Sequence, residues 1–388
     1  MKTLEKKIRT FIFGYYGAGN IGDELILEGI LKTLPAGCQP VVASRNPREI
    51  KRIHGVTAIK FSLLNLPRII WEIFSSDRIL IGGGDLFQEV TSRRSLLAVY
   101  LIFKVARLFG KFVGFLGISL GEVFSGFGKR SVQEMVRGAD LVISRFEGTQ
   151  KIFEQLAPGR SALIPGVDWA FLSAPDAHPG VVDFSRDFPV QKIVGLSVRP
   201  WFGEKKQLEQ SVQQLAEIFQ SLLQQKMKLV FLPFQFEKDK LIEEKILKYL
   251  KPLKNPAAET KQQESTSGIV TFKNPLGPQK MWAVINGLDV LIGMRLHSLI
   301  MASILRKPIF SLSYTLKNSE FMEQLGLTDY QLSLEELDFE KGRNQLEKFF
   351  AEVEKIRDSL QTRLPVIYQK AESNKIIFQK ILLATGTY

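Results

Sequence analysis

Arg295 and His297, two positions apart in residues 293–298 (GMRLHS), offer a fixed cation and a group that exchanges a proton near neutral pH. Leu288, Val290, Leu291 and Ile292 before them form a short apolar run of the kind a buried strand shows. Gly293 breaks it, and Leu296, Leu299, Ile300 and Ile304 resume at helical spacing. A strand running into a helix leaves the first N–H groups of the helix unpaired, which makes the junction a place to hold an anion. Arg295 stands there against the helix dipole, a placement that an anion would offset and that structure alone does not ask for. The chain has three histidines. The other two, His54 and His178, lie in Pro- or Gly-flanked contexts that read as loops.

Asp23 and Glu24 form a second candidate group. They follow Gly17, Gly19 and Gly22, which fit the G-x-G-x-x-G spacing between a strand and a helix, the context of a dinucleotide fingerprint. A nicotinamide–adenine site wants an acid after the second strand, and that strand ends in Ala43, Ser44 and Arg45. Arg45 would suit a ribose phosphate, so an NADP-dependent reductase stays open as an alternative. The two carboxylates would meet a pyrophosphate head-on; they read instead as a potential base and a pair complementing the helix dipole.

The elements that position these groups alternate strand and helix throughout. Strands are expected at residues 10–13, 40–43, 78–81 (ending in Gly82, Gly83 and Gly84), 112–116, 141–144 and 162–164. Helices are expected at 23–34, from about 95, and at 148–156. Residues 173–191 turn to Pro, Asp and Gly without periodicity and read as a linker. The pattern restarts with strands at 193–198, 228–232, 269–272, 288–292 and 308–312. The helices there are 207–225, 239–249, 277–286 and the one after Gly293, with 254–268 a polar loop. This predicts an α/β protein of two domains with parallel, doubly wound sheets, residues 1–175 and 190–335. Residues 336–388 are expected to be helices bracing the two.

A chain of 388 residues, 45% hydrophobic and 24% charged, is long enough for two cores. The single cysteine, Cys38, excludes an intramolecular disulfide, and one cysteine with three scattered histidines gives no metal-ligand spacing. The N-terminal MKTLEKKIRT shows no signal-peptide pattern, so a cytoplasmic protein is expected. The net charge of +12 points to an anionic partner. No nucleic-acid-binding signature accompanies it, which favours a phosphorylated substrate or an anionic membrane surface. Residues 95–117 read as a core helix and a buried strand, with Lys104, Arg107 and Lys111 on one stripe and too many charges for an easy membrane span. With the 63–74 run containing Arg68 and Trp71, they leave room for a shallow membrane-facing surface, peripheral at the inner face of the cell membrane.

Five segments together carry a family resemblance: residues 14–27 (GYYGAGNIGDELIL), 82–92 (GGGDLFQEVTS), 197–201 (SVRPW), 293–298 (GMRLHS) and 313–317 (SYTLK). In this order, over about 300 residues, they resemble the polysaccharide pyruvyl transferase family, most closely its secondary-cell-wall-polymer branch. The resemblance implies two facing Rossmann-like domains in the glycosyltransferase-B arrangement. It also implies transfer of pyruvate from phosphoenolpyruvate onto two hydroxyls of one sugar, making a cyclic ketal. The chain departs from the family pattern at Leu116–Leu120 (family Gln-Gly-Ile-Gly-Pro), at Phe146 within Arg145–Glu147 (family Arg-Asp-Glu) and at Trp169 (family Asp-Pro, here Asp168-Trp169). These positions lie on the expected acceptor side and leave the acceptor sugar open.

A donor with a phosphate and a carboxylate close together needs several fixed cations, and Arg199, Arg295 and Lys317 are the candidates, each following a predicted strand of the second domain. His297 would protonate the methylene carbon or hold the leaving phosphate. Asp23 and Glu24 would take the hydroxyl proton, and Gly17, Asn20, Gly83, Gly84 and Gln88 would form the acceptor-side loop. Loss of Arg295 is expected to cost activity with little effect on folding. The scheme requires no metal and no cofactor beyond phosphoenolpyruvate as co-substrate; the expected partner is a saccharide acceptor, lipid-linked. The competing readings are a nucleotide-sugar glycosyltransferase of the same architecture and a non-catalytic polysaccharide-binding protein.

Overall fold

A computed structural model describes residues 7–90, 92–175, 179–184, 192–201, 205–251, 263–266 and 268–384. The chain divides into two compact units, residues 1–174 with 367–388, and residues 175–366. His178 and the whole 185–191 stretch of the expected linker lie outside the described residues.

The first unit runs β1 (Ile8–Phe13), α1 (Ile21–Thr33), β2 (Cys38–Ser44), α2 (Pro47–His54), β3 (Thr57–Lys60), α3 (Leu66–Ser75), β4 (Arg78–Phe87), α4 (Arg93–Leu108), β5 (Phe112–Leu120), α5 (Gly126–Gly138), β6 (Leu141–Ser144), α6 (Glu147–Leu156) and β7 (Leu163–Ile164). Its seven strands are ordered β3-β2-β1-β4-β5-β6-β7, all parallel. Helices cover both faces of such a sheet, so its strands read as continuous apolar runs. Phe11, Ile79, Phe115 and Val142 lie fully buried in its core.

The second unit runs β8 (Ile193–Ser197), α7 (Lys205–Gln224), β9 (Lys228–Phe231), α8 (Phe236–Tyr249), β10 (Gln263–Thr266), β11 (Ile269–Phe272), α9 (Pro278–Asn286), β12 (Val290–Gly293), α10 (Leu296–Ile304), β13 (Ile309–Ser313), α11 (Leu316–Gln324), β14 (Gln331–Ser333), α12 (Phe339–Ala351) and α13 (Val353–Ala384). The order is β10-β11-β9-β8-β12-β13-β14, parallel except for β10, which is antiparallel to β11. The unit boundary falls within α13, one residue after Pro365. The end of α13 packs in the first unit: Arg78 Nε donates to the Leu382 carbonyl, Gln379 Nε2 to Thr33, and Phe378 meets Trp169 edge to face.

Several local expectations are corrected. The strand at 78–81 does not end at the glycines; β4 continues through Gly82–Gly84 to Phe87, with positive φ at Gly83 and Gly84 and a shifted register beyond. His54 is not in a loop: it closes α2, which Asn46 caps, Pro47 opens and Gly55 ends in the left-handed conformation. The polar loop at 254–268 contains strand β10 in its described part, the remainder lying outside the described residues. Helix α4 ends at Leu108, so Lys111 leaves the stripe of Lys104 and Arg107 and stands just before β5. No helix among the described residues is long and apolar enough to cross a membrane.

Candidate functional site

In the second unit three of the singled-out segments meet at the carboxyl ends of adjacent strands. Residues 197–201 leave β8, 293–298 leave β12 and 313–317 leave β13, where open parallel sheets bind ligands. Met294 ties them together: its N–H donates to the Ser197 carbonyl at 2.7 Å, its carbonyl accepts Asn318 Nδ2 at 3.0 Å, and its sulfur accepts the Arg199 N–H at 3.5 Å. Arg199 Nη1 donates to Tyr314 Oη at 2.7 Å, and the guanidinium lies 5.0 Å from the Tyr314 ring centre. The cation is therefore oriented before any ligand arrives. Lys317 is the second residue of α11 and half-buried.

Helix α10 starts directly after Arg295, with His297 in its first turn. From Val290 to Ser303 every side chain is buried except that of His297, which is half-buried. Within this segment the imidazole is thus the side chain that keeps partial exposure.

Arg295 is placed otherwise than its position at a helix start suggested. Its side chain is buried, and Nε and Nη2 bond the two carboxylate oxygens of Asp239 in α8, the first at 3.2 Å. Asp239 in turn accepts the Phe234 and Gln235 N–H groups, both at 2.9 Å, at the start of α8. The anion offsetting Arg295 is the protein's own carboxylate, so structure does ask for this arginine. Removing either member of a buried pair strands the other charge, which corrects the expectation that folding is indifferent to Arg295.

In the first unit, the glycine loop is closed by its own helix. Gly17, with φ +67°, donates its N–H to Glu24 Oε1 at 2.7 Å, and Glu24 Oε2 lies 3.3 Å from His54 Nε2. A Cβ on Gly17 would fall 2.1 Å from Ser44 Oγ, so only glycine fits. The buried Glu24 carboxylate thus occupies a loop donor that a pyrophosphate would need. Asp23 is only half-buried, receives the Asn20 side-chain amide, and its Oδ1 would lie 3.7 Å from a Cβ at Gly84. Gly17, Asn20, Asp23, Gly83 and Gly84 are therefore gathered around the start of α1. Gln88 lies past the end of β4, beside Gly121 of the loop after β5.

Tyr16, missed in the sequence, sets this arrangement. Its buried hydroxyl donates to the Gly82 carbonyl at 3.2 Å, and a Cβ on Gly82 would sit 2.3 Å from that hydroxyl. Burial, with the charges of Asp23 and Glu24, pushes the phenol well above its usual range, which keeps it a donor. Also missed is a polar cluster at the ends of β4 to β6. Arg145 pairs with Asp168, both buried, its Nη1 lies 3.8 Å from Asp85, and Asp85 accepts Ser119 Oγ. Arg145 and Asp168 are 23 positions apart, so neither shows its partner by local spacing.

With the geometry described, comparison with known proteins decides the family. A family model described as polysaccharide pyruvyl transferase matches residues 20–315. The chain belongs to that family. It is accordingly a transferase enzyme of polysaccharide biosynthesis, and three of the five segments above lie wholly within the match, the first entering it at Asn20 and the last leaving it after residue 315. No curated protein matches this pyruvyl transferase significantly.

Solved structures share its fold at low identity. S. aureus MnaA with UDP is 11% identical, covering 92% of this chain and 91% of that one, with a TM-score of 0.64. Anabaena Alr3699/HepE with UDP-glucose is 14% identical over 97% and 99%, TM-score 0.57. UDP-GlcNAc 2-epimerase from Methanocaldococcus jannaschii is 12% identical over 87% and 91%, TM-score 0.56. The pyruvyl transferase therefore consists of two parallel-sheet α/β domains of the kind found in glycosyltransferase-B and epimerase folds.

Proposed function

We propose that this enzyme transfers pyruvate from phosphoenolpyruvate onto two hydroxyls of one sugar in a cell-wall or exopolysaccharide precursor, lipid-linked, of the secondary-cell-wall-polymer type. What supports the donor is the convergence of Arg199, His297 and Lys317 on adjacent segments at one edge of the second sheet, two cations and a titratable ring suited to a compact dianion. Arg199, already oriented by Tyr314, takes the donor carboxylate or phosphate, and Lys317 adds a second charge. Arg295 enters as a positioning residue: through Asp239 it fixes the turn from which His297 projects.

In the reaction, His297 delivers a proton to the methylene carbon, which becomes the methyl group. The cation at C2 is captured by the first sugar hydroxyl, whose proton passes to Asp23. The second hydroxyl then replaces phosphate at C2, and its proton leaves with the phosphate. Asp23, which accepts the Asn20 side-chain amide, suits the base because it is half-buried, whereas Glu24 is buried and holds the loop through Gly17 and His54. No metal or organic cofactor enters these steps.

The test is release of inorganic phosphate from phosphoenolpyruvate with and without a lipid-linked saccharide acceptor, followed by the acceptor's mass. Acceptor-dependent release with a mass gain of one pyruvylidene supports the reading. Glycosyl transfer from a nucleotide sugar, with phosphoenolpyruvate untouched, would overturn it.

A further inference from the structure

The first unit carries an exposed apolar surface that the reaction does not use. A 3-10 turn at Leu63–Asn65 presents Leu63 and Leu64 at 90% and 95% exposure. Helix α3 continues it with Leu66, Ile70, Trp71 and Phe74, and α4 adds Leu97, Leu101 and Leu108, followed by Phe109. The surface is continuous across the two helices: Trp71 and Phe74 ring centres are 5.9 Å apart and those of Phe74 and Phe109 5.3 Å. A contiguous exposed patch of this kind marks an interaction surface, whereas single exposed leucines do not.

The charges around it have one sign. Among the described residues from 60 to 111, every exposed charged side chain is basic: Lys60, Arg68, Arg93, Arg94, Lys104 and Arg107. The acids of the same stretch, Glu72, Asp77, Asp85 and Glu89, are buried or half-buried. Lys104 and Arg107 are paired with Glu134 and Asp140, so the field comes from the others. Glu72 is shared by Arg9 and Arg68, leaving a net positive charge beside Trp71. Arg93 and Arg94 lie one turn before Leu97 and two before Leu101, on the same stripe of α4. Lys111 Nζ sits 5.5 Å from the Phe74 ring centre.

From this complementarity we propose that the α3–α4 face docks on an anionic membrane surface. Leu63, Leu64 and Trp71 enter the headgroup–acyl boundary, and Arg68, Arg93, Arg94 and Lys111 pair with lipid phosphates. A proteinaceous partner or second copy would not require the exposed charges of the 60–111 stretch to be basic throughout. The proposal stands apart from the reaction above, because vesicle binding is read without turnover.

The experiment is flotation of the full chain with phosphatidylcholine vesicles, with and without phosphatidylglycerol, at low and physiological salt. Binding is expected only with phosphatidylglycerol and to weaken with salt. Leu63→Ser/Leu64→Ser should lower vesicle affinity about tenfold or more, and Arg93→Gln/Arg94→Gln roughly fivefold per residue. Lys355→Gln/Lys375→Gln, outside the patch, should bind as the native chain does, and thermal melts of all variants should coincide. Absence of binding at low salt, equal binding to neutral vesicles, or a concentration-dependent dimer that Leu63→Ser/Leu64→Ser abolishes would overturn the proposal. Vesicle binding without pyruvyl transfer would reject the reaction alone.

Discussion

Arg295, at the start of α10, and Asp239, in the first turn of α8, form a two-bond ion pair with side chains 9% and 1% exposed. One helix start thereby holds another, since Asp239 also accepts the N–H groups of Phe234 and Gln235.

Because each charge is buried against the other, Asp239→Ala or Arg295→Ala should each lower stability by about 3–5 kcal/mol. The double variant Asp239→Leu/Arg295→Met should melt above either single one, since neither charge is stranded, while activity stays lost because the turn carrying His297 is no longer fixed. Thermal melts and turnover on all three variants check both halves of this expectation. Double-variant melting below both single ones would contradict it.

The two neighbouring carboxylates of α1 should separate in their effects. Asp23→Asn should melt with the native chain and lose about 10²–10⁴ in kcat, with the KM for phosphoenolpyruvate retained. Glu24→Ala leaves the Gly17 N–H and the His54 ring without their acceptor and should cost about 1.5–3 kcal/mol of stability. Parallel melts and steady-state kinetics on both variants distinguish a proton acceptor from a loop clamp. Equal melting temperatures would remove the distinction.

Glu243 supplies a pH signature. Burial pushes its carboxyl up from 4.5 to about 7, with Lys240 opposing the shift. The folded chain therefore binds the proton more tightly than the unfolded one, and this group's contribution to stability falls as pH rises from about 4.5 to about 7, then levels. At pH 8, Glu243→Gln should be more stable than the native chain by an amount on the order of 1–2 kcal/mol, after allowing for the lost Lys240 pair. The advantage should vanish near pH 4.5. A pH-independent difference in melting temperature would show that Glu243 is not the titrating group.

Much of this architecture is legible in the residues. The continuous apolar runs of β1, β4, β5, β6 and β12 have no polar face to show because helices cover both sides of their sheets, and the restart after residue 191 marks a second sheet. Helix α2 carries its signals, Asn46 and Pro47 opening it and Gly55 closing it, but two proline- and glycine-flanked polar turns resemble a loop, and the sequence reading misses it. The continuation of β4 through three glycines was hidden because glycine ordinarily marks a strand's end. The segments of the candidate site stand out in the sequence, but their pairings do not. Arg295 and Asp239 are 56 positions apart, and Tyr16 and Gly82 are 66 apart, distances that only the folded sheets close.

The central claim, that the carboxyl edge of the second sheet binds phosphoenolpyruvate, is tested most directly by calorimetric titration of phosphoenolpyruvate into the native chain and Arg199→Ala. Arg199 packs on Tyr314 at the half-buried edge of the sheet, so its removal should leave the fold intact. Each lost charge-assisted bond is worth about 1.5–3 kcal/mol, or roughly a tenfold to hundredfold change in Kd. Saturable binding to the native chain that weakens by that factor in Arg199→Ala is the predicted result. Equal affinity for both proteins, or no heat with phosphoenolpyruvate alongside saturable binding of a UDP-sugar, would contradict the account.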